Sequence, residues 1–495
     1  MNTFRLSKST YCDAIQCNKI LWLDKNKPNV ACEEDNEDRI ETGQEVGEFA
    51  KRLFGEYKDI SYDLGLAQMI IKTGEYIESG VEIITEASFA YKNCFCSVDI
   101  LKNSNGKLDI YEVKSGTKET DRYINDLAYQ YYVLKNSGYI INSANLVYIN
   151  NKYIRKGELE LEKLFIIDDI TATIMEKQIE VKEKIESINE YMKQDDEPIL
   201  DINPACGKPN DCRYWGYCSK HLPPNNVFDV SGLHLGPKYE FYSNSVVTFS
   251  DLSTCDINPK YLEQIDFELN NRKPKIDKEE IKAFLNKLYY PLYFLDFESY
   301  QQVIPLWDGV KPYLQIPFQY SLHYIEEEGG EIKHKEFLAE SPDIDAREDI
   351  AKRLVEDIPS NACVLAYNMA FEKEHIIKKL ADSYKYLEKD LMQIYDNIED
   401  LIEPFKKRHY YVKEMKGRST IKLVLPALFP DDPELDYHNL SGIHQGAEAM
   451  SAFRSISKKT KEEQDKIRKE LLAYCKLDTY AMVKIWQKLN EVCKE

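Results

Sequence analysis

A chain of 495 residues is too long for one hydrophobic core, so two or three domains are expected. Its 43% hydrophobic and 30% charged residues are ordinary for a globular protein, and no run of about 18 apolar residues offers a membrane span. A formal net charge of −20 excludes a broad basic surface gripping polyanions, but leaves room for a local basic groove beside an acidic, metal-dependent site.

The opening "MNTFRLSKSTYCD" lacks the apolar centre of a signal peptide, so a cytoplasmic location is expected. The 12 cysteines of such a chain favour reduced thiols or metal ligands over disulfides. Helical spacing with polar flanks covers about 33–55. "EIITEASFAYKNCFCSVDILK" and "KLDIYEVKSG" read as consecutive strands joined through the turn "NSNG". "DRYINDLAYQYYVLKNSG" predicts an amphipathic helix stopped by Gly138, "SANLVYINN" a further strand, and roughly 168–195 a long charged helix. A cysteine-bearing loop over 204–221 closes in "LPPNN". From about 289 the pattern restarts as strands followed by helices. The expected fold class is α/β multidomain: an N-terminal domain over 1–222, a helical connector over 223–288 and a second α/β domain over 289–495.

In "SVDIL…DIYEVKSG", Asp99 lies on one strand and Glu112-Val113-Lys114 on the next, so Glu112 and Lys114 share a face while Val113 fills the core. Two carboxylates can hold a hard divalent ion, and a neighbouring ammonium can orient water or stabilise charge on phosphorus. Glu86 stands on the preceding strand, and the following helix offers Asp126 and Gln130. The set resembles the D…E-x-K signature of the PD-(D/E)XK nucleases, and the helix that of their RecB-like members. The resemblance implies a restriction-endonuclease-like fold, a metal held by Glu86, Asp99 and Glu112, catalytic Asp99, Glu112 and Lys114, and substrate contact through Gln130. Gly47 stands where RecB-like members often carry a histidine, flanked by Glu45 and Glu48.

In "NPACGKPNDCRYWGYCSKH", five residues separate Cys206 from Cys212 and five separate Cys212 from Cys218. Structural zinc sites usually show tighter pairs, whereas iron–sulfur clusters need four thiolates and tolerate longer spacing. Cys17 supplies the fourth, with Cys12 as the alternative. One N-terminal and three distal cysteines resemble the cluster-bearing RecB-like nucleases, including the AddB and CRISPR-associated types. That implies a [4Fe–4S] cluster stapling the ends of the domain together, with zinc second.

"PLYFLDFES" is a buried-strand run ending in Asp296 and Glu298 on one face, with Phe297 on the other. Asn368 and Phe371-Glu372 follow where a strand runs into a helix, and Tyr474 and Asp478 lie four apart on a C-terminal helix. The order D-x-E, N-x-x-F-E, Y-x-x-x-D resembles the DnaQ-like exonucleases (DEDD, tyrosine subtype) on an RNase H-like fold, with Glu372 in place of the usual aspartate. This implies 3′→5′ phosphodiester hydrolysis with two Mg²⁺ or Mn²⁺ ions held by Asp296, Glu298, Glu372 and Asp478, and with Tyr474 orienting water. Asn368, Lys422 and Arg418 are candidate substrate contacts, and "KKRHYYVKEMKGR" (406–418) interleaves basic and aromatic residues as single-strand grooves do. The implied partner is nucleic acid, at single-stranded ends. "VSGLHLGPKYEFYSNSVVTFSDLS" in the connector resembles a degenerate helix-hairpin-helix element. Through "QCNKILWLDKNKP", "DIYEVKSG", "CRYWGYC", "YFLDFESY", "AYNMAFEK" and "IKLVLPALFP", nearly the whole chain resembles an uncharacterised bacterial family that fuses a RecB-like, cluster-bearing nuclease domain to a DnaQ-like exonuclease domain. A rival from another class is a nucleic-acid-binding scaffold whose N-terminal fold is inactive and kept for its cluster.

Overall fold

The protein is described from a computed structural model over residues 5–32, 37–208 and 211–494. It is a mixed α/β chain divided into two compact units. The first runs to Leu222 and takes in Val303–Tyr313; the second comprises Pro223–Gln302 and the chain from Leu314 onward. Residues 223–288 therefore group with the second unit. Among the described residues no helix is long and apolar enough to cross a membrane.

The first unit is built on a six-stranded sheet in the order β1 (Lys58–Asp59), β2 (Ile83–Tyr91), β3 (Cys94–Ser104), β4 (Lys107–Lys114), β5 (Ile140–Ile149), β6 (Phe165–Asp169). Strands β2, β3 and β4 are antiparallel neighbours, while β4 and β5 run parallel. A parallel pair needs a crossover, and the helix Asp121–Asn136 supplies it, capped by Thr120 and followed by Gly138 at φ 93°. Its Leu127, Ala128, Val133 and Leu134 join Ala87, Phe89, Val98 and Leu101 of the sheet in one core. The helix Lys8–Gln16 starts in a Ser7 capping box and adds Tyr11, stacked on Tyr129 at 4.9 Å.

Glu86 lies on β2 and Asp99 on β3, the two joined by a turn at Lys92, where φ is 53°. One sequence expectation is corrected in this unit. The helix expected over 168–195 begins instead with strand β6, followed by helices Thr171–Glu176 and Gln178–Tyr191. The "NG" turn holds: Asn105 and Gly106 both take positive φ, 54° and 82°, as a two-residue hairpin loop requires.

The second unit carries a two-stranded ribbon of β7 (Lys275–Ile276) with β13 (Tyr410–Tyr411), and a five-stranded sheet. The sheet strands are β8 (Leu292–Gln301), β9 (Gln315–Ile325), β10 (Lys333–Leu338), β11 (Cys363–Ala366) and β12 (Ile398–Asp400), ordered β10-β9-β8-β11-β12. β8 pairs antiparallel with β9 and parallel with β11, and β11 pairs parallel with β12. The helix Lys461–Lys494 packs on β8 and β9, burying Leu471, Cys475, Met482 and Ile485. The connector helices Leu235–Ser243, Phe249–Leu252, Pro259–Asn270 and Lys278–Leu285 include a small core of Val227, Val230, Phe249, Leu252 and Ile265.

Candidate metal centres

Alternation along β8 sends Tyr293 and Phe297 to one side of the sheet, against Tyr324 (4.9 Å) and Tyr320 (6.0 Å). Phe294, Asp296 and Glu298 face the other side, where Phe294 meets Trp486 of the C-terminal helix at 5.9 Å. Cys475 on that helix donates through Sγ to Asp296 Oδ2 at 3.7 Å, and ligand atoms of Asp296, Glu298 and Cys475 lie within 4.8 Å of one another. One turn on, Asp478 is buried, and its Oδ1 accepts from Tyr437 Oη at 2.5 Å. Lys422 lies over the rings of Tyr437 and Tyr474, at 5.1 and 5.4 Å, and donates to the carbonyl of His444 at 2.8 Å. Glu372 is buried on a π-helical segment, Phe371–Ile377, a rare geometry that concentrates at functional sites, and its Oε2 has no hydrogen-bond partner among the described residues.

The electrostatics are those of carboxylates short of counter-charge. Burial, then Asp478, Glu298 and Glu372, hold Asp296 well above the ordinary carboxylate range. Glu298 is raised by burial, Asp478 and Glu372 against the pull of Lys422. Burial lifts Asp478 to about 6, even with Tyr437, Lys422 and Tyr474 favouring its charge, and burial with Asp400 lifts Glu372 to about 8. Tyr474 is raised by burial and by Asp478, so its hydroxyl keeps its proton. A cation held by Asp296 and Glu298, whose ligand atoms lie within 4.8 Å of one another, would relieve this repulsion, so these two residues fit a divalent ion; Glu372 and Asp478 stand outside that 4.8 Å set and act on Asp296 through their charge.

The remaining C-terminal candidates separate. Lys422 acts by its charge on Glu298 and Asp478. Asn368 is exposed, and its left-handed backbone (φ 68°) places its N–H on Asp400 Oδ1 at 2.8 Å, so the residue makes the turn that ends β11. Arg418 is exposed, with its charge felt by Lys238 of the connector rather than by the carboxylates. Within 406–418, Arg408 is 4% exposed and donates to Glu263 Oε2 at 3.1 Å, and Tyr410 and Tyr411 are buried in β13, so these three do not face a groove, while Lys406, Lys407, Lys416 and Arg418 are exposed. Sequence reasoning missed Tyr437 and Cys475, which reach the site from a loop and from between two recognised helix positions.

The N-terminal candidates also converge. Lys114 Nζ donates to Glu112 Oε1 (2.5 Å) and Asp126 Oδ2 (2.6 Å), and the backbone N–H of Val113 donates to Asp99 Oδ2 (2.7 Å). Glu86 takes a left-handed backbone (φ 56°) in mid-strand and accepts from Tyr62 at 2.9 Å; burial, then Asp99, lift it to about 7. Glu86, Asp99, Glu112 and Lys114 line a cavity of about 400 Å³ with Gly47 and Glu48, the latter paired with Lys51 at 2.9 Å. Gln130 is fully buried and donates to Glu112 Oε2 (2.7 Å) and Asp126 Oδ1 (3.0 Å), so it positions carboxylates rather than presenting itself to substrate. Lys8, unanticipated from sequence, donates to Glu112 Oε1 at 2.9 Å and Asp99 Oδ1 at 3.4 Å. Asp99 and Glu112 thus already carry ammonium and N–H donors, while Glu86, the third expected ligand, is raised by burial and by Asp99.

Cys17, Cys206, Cys212 and Cys218 line one small cavity, with Ile20, Leu23 and Tyr214 around it. Burial raises Cys206, Cys212 and Cys218, and each is raised further by the charge of other members of the set. Among the described residues no three of these sulfurs lie within 4.8 Å of one another, whereas zinc at about 2.3 Å from each would draw them closer. Cys12 is buried apart from them, its Sγ directed at the Arg122 carbonyl at 3.8 Å.

Comparison with known proteins adds two likenesses. A family model described as a domain of unknown function (DUF2779) matches residues 293–420, a stretch that holds Asp296, Glu298 and Glu372 but not Tyr474 or Asp478. An uncharacterised protein of Mycoplasma genitalium, MG366, is 25% identical over 311 residues, covering 55% of this chain and 44% of its own length.

Proposed function

We propose that the protein is a metal-dependent nuclease whose C-terminal unit removes nucleotides from the 3′ ends of DNA or RNA. The observation that carries the reading is the convergence of Asp296, Glu298, Glu372 and Asp478, all buried or half-buried, raised by burial and, at Asp296 and Glu298, by mutual repulsion. The strand order β10-β9-β8-β11-β12, with β8 central and antiparallel only to β9, supports an RNase H-like sheet. Mg²⁺ or Mn²⁺ in this set would supply Lewis-acid charge stabilisation and a nucleophilic water at neutral pH. Asp296, Glu298, Glu372 and Asp478 are the residues that would hold it. Tyr437 fixes the Asp478 carboxylate, the neutral Tyr474 hydroxyl orients water, and Lys422 offers positive charge to a phosphate.

For the first unit, the four cysteines support a [4Fe–4S] cluster, with zinc second, on a PD-(D/E)XK-like sheet. The pairing of Lys8 with Asp99 and Glu112 favours the scaffold reading of this unit over a second nuclease centre. The test is a panel of end-labelled single- and double-stranded DNA and RNA incubated with Mn²⁺. The reading requires shortening from the 3′ end that Asp296→Ala abolishes and Glu112→Ala leaves in place. Intact substrates, or equal degradation by Asp296→Ala, would refute it.

A further inference from the structure

In the N-terminal carboxylate site, each oxygen of Asp99 and Glu112 already has a donor. Asp99 Oδ2 accepts from the Val113 N–H at 2.7 Å and Oδ1 from Lys8 at 3.4 Å. Glu112 Oε1 accepts from Lys8 at 2.9 Å and Lys114 at 2.5 Å, and Oε2 from Gln130 at 2.7 Å. The C-terminal set differs on this count, because Glu372 Oε2 there has no hydrogen-bond partner among the described residues. The charges differ too. Asp99, Glu112 and Asp126 face two ammonium groups, Lys8 and Lys114, whereas the C-terminal carboxylates answer to Lys422.

Lys8 is also delivered by an anchored segment. Leu6 hydrogen-bonds on both sides with the β3 end of the hairpin, to the Asn93 carbonyl and from the Phe95 N–H, each at 2.9 Å. Tyr129 Oη donates to the Leu6 carbonyl at 2.5 Å, and the Ser7 capping box then starts the helix whose first residue is Lys8. Backbone and cap therefore fix the start of the helix from which Lys8 reaches the two carboxylates.

We infer that Lys8 is the resident cation of the Asp99–Glu112 site, an internal ammonium standing where a nuclease of this architecture would hold a divalent ion, so that this site excludes metal as long as Lys8 is present. An ion entering beside Glu112 would have to expel Lys8 from a well-formed ion pair and then sit against Lys114. Two ammonium groups, Lys8 and Lys114, thus compete with such an ion for Glu112 Oε1.

The inference is tested apart from the C-terminal site, in full-length protein carrying Asp296→Asn and Asp478→Asn. Mn²⁺ uptake is followed by the electron paramagnetic resonance of the free ion. With Lys8 in place, no uptake that depends on Glu112 is expected. The neutral variants Lys8→Met and Lys8→Gln should each gain one Mn²⁺ per chain, lost again when Glu112→Gln is added. Mn²⁺ uptake by the Lys8-containing protein that Glu112→Gln removes would overturn the inference, whether or not the Lys8 variants fold. Folded Lys8 variants that gain no Mn²⁺ would overturn it as well.

Discussion

The hydroxyl of Tyr437 donates to Oδ1 of Asp478 at 2.5 Å, tying a loop tyrosine to a carboxylate on the C-terminal helix. Tyr437 holds no ion itself; it fixes the carboxylate that would. Tyr437→Phe keeps the ring and removes the donor, so the Asp478 carboxyl should titrate higher and bind metal more weakly. Outer-layer partners of metal ligands typically contribute about 10–100-fold. The expected result is a rise of that order in the Mn²⁺ concentration needed for half-maximal activity, with full activity restored at high Mn²⁺. An unchanged metal requirement would place Tyr437 outside the site.

The buried carboxylates give the metal-free protein a defined pH dependence. Asp478 lies at about 6 and Glu372 at about 8, both above their unfolded values, so the folded state keeps protons that the unfolded chain has released. Their contribution to stability is fully present below about pH 4 and is lost as pH rises through about 6 and then about 8. In a chelator the melting temperature should therefore fall between about pH 5 and about pH 8, and Mn²⁺ should restore more stability at the higher pH. Equal stabilisation by Mn²⁺ at both pH values would count against these carboxylates as its ligands.

Asp296→Asn should separate stability from function. It removes a charge that burial and three neighbouring carboxylates disfavour, so the metal-free variant should melt higher than the parent. Its nuclease activity should fall by more than the roughly 100-fold expected for an outer-layer partner. A variant that loses activity because it unfolds would show the opposite melting shift.

Arg408 tests the corrected account of 406–418. It is buried against Glu263 Oε2 and the Lys260 carbonyl, so Arg408→Ala should cost about 2 kcal/mol of stability. Affinity for single-stranded nucleic acid should not change, as measured by fluorescence anisotropy. A selective loss of binding with unchanged stability would return this stretch to the substrate groove.

The cysteine set is tested by iron content. Anaerobically purified protein should carry about four iron atoms per chain, and Cys206→Ser should lose them together with thermal stability of the first unit. Stoichiometric zinc in place of iron would reverse the preference between the two.

How much of this was legible follows from the range of each signal. The face shared by Asp296 and Glu298, and the one-turn spacing of Tyr474 and Asp478, are local periodicities that need no tertiary knowledge. Lys8 meets Glu112 across 104 residues and Tyr437 meets Asp478 across 41, and no spacing rule links either pair. The basic and aromatic run at 406–418 misleads because its pattern does not say which face the connector covers. Gln130 misleads differently: its position was read correctly, but its two donor contacts point inward to Glu112 and Asp126.

The most direct test of the central claim is a crystal of the protein soaked in Mn²⁺ and measured at the manganese absorption edge. The account predicts two anomalous peaks about 4 Å apart among Asp296, Glu298, Glu372 and Asp478, absent from Asp296→Asn crystals. Saturating Mn²⁺ with no peak among those four carboxylates would contradict it.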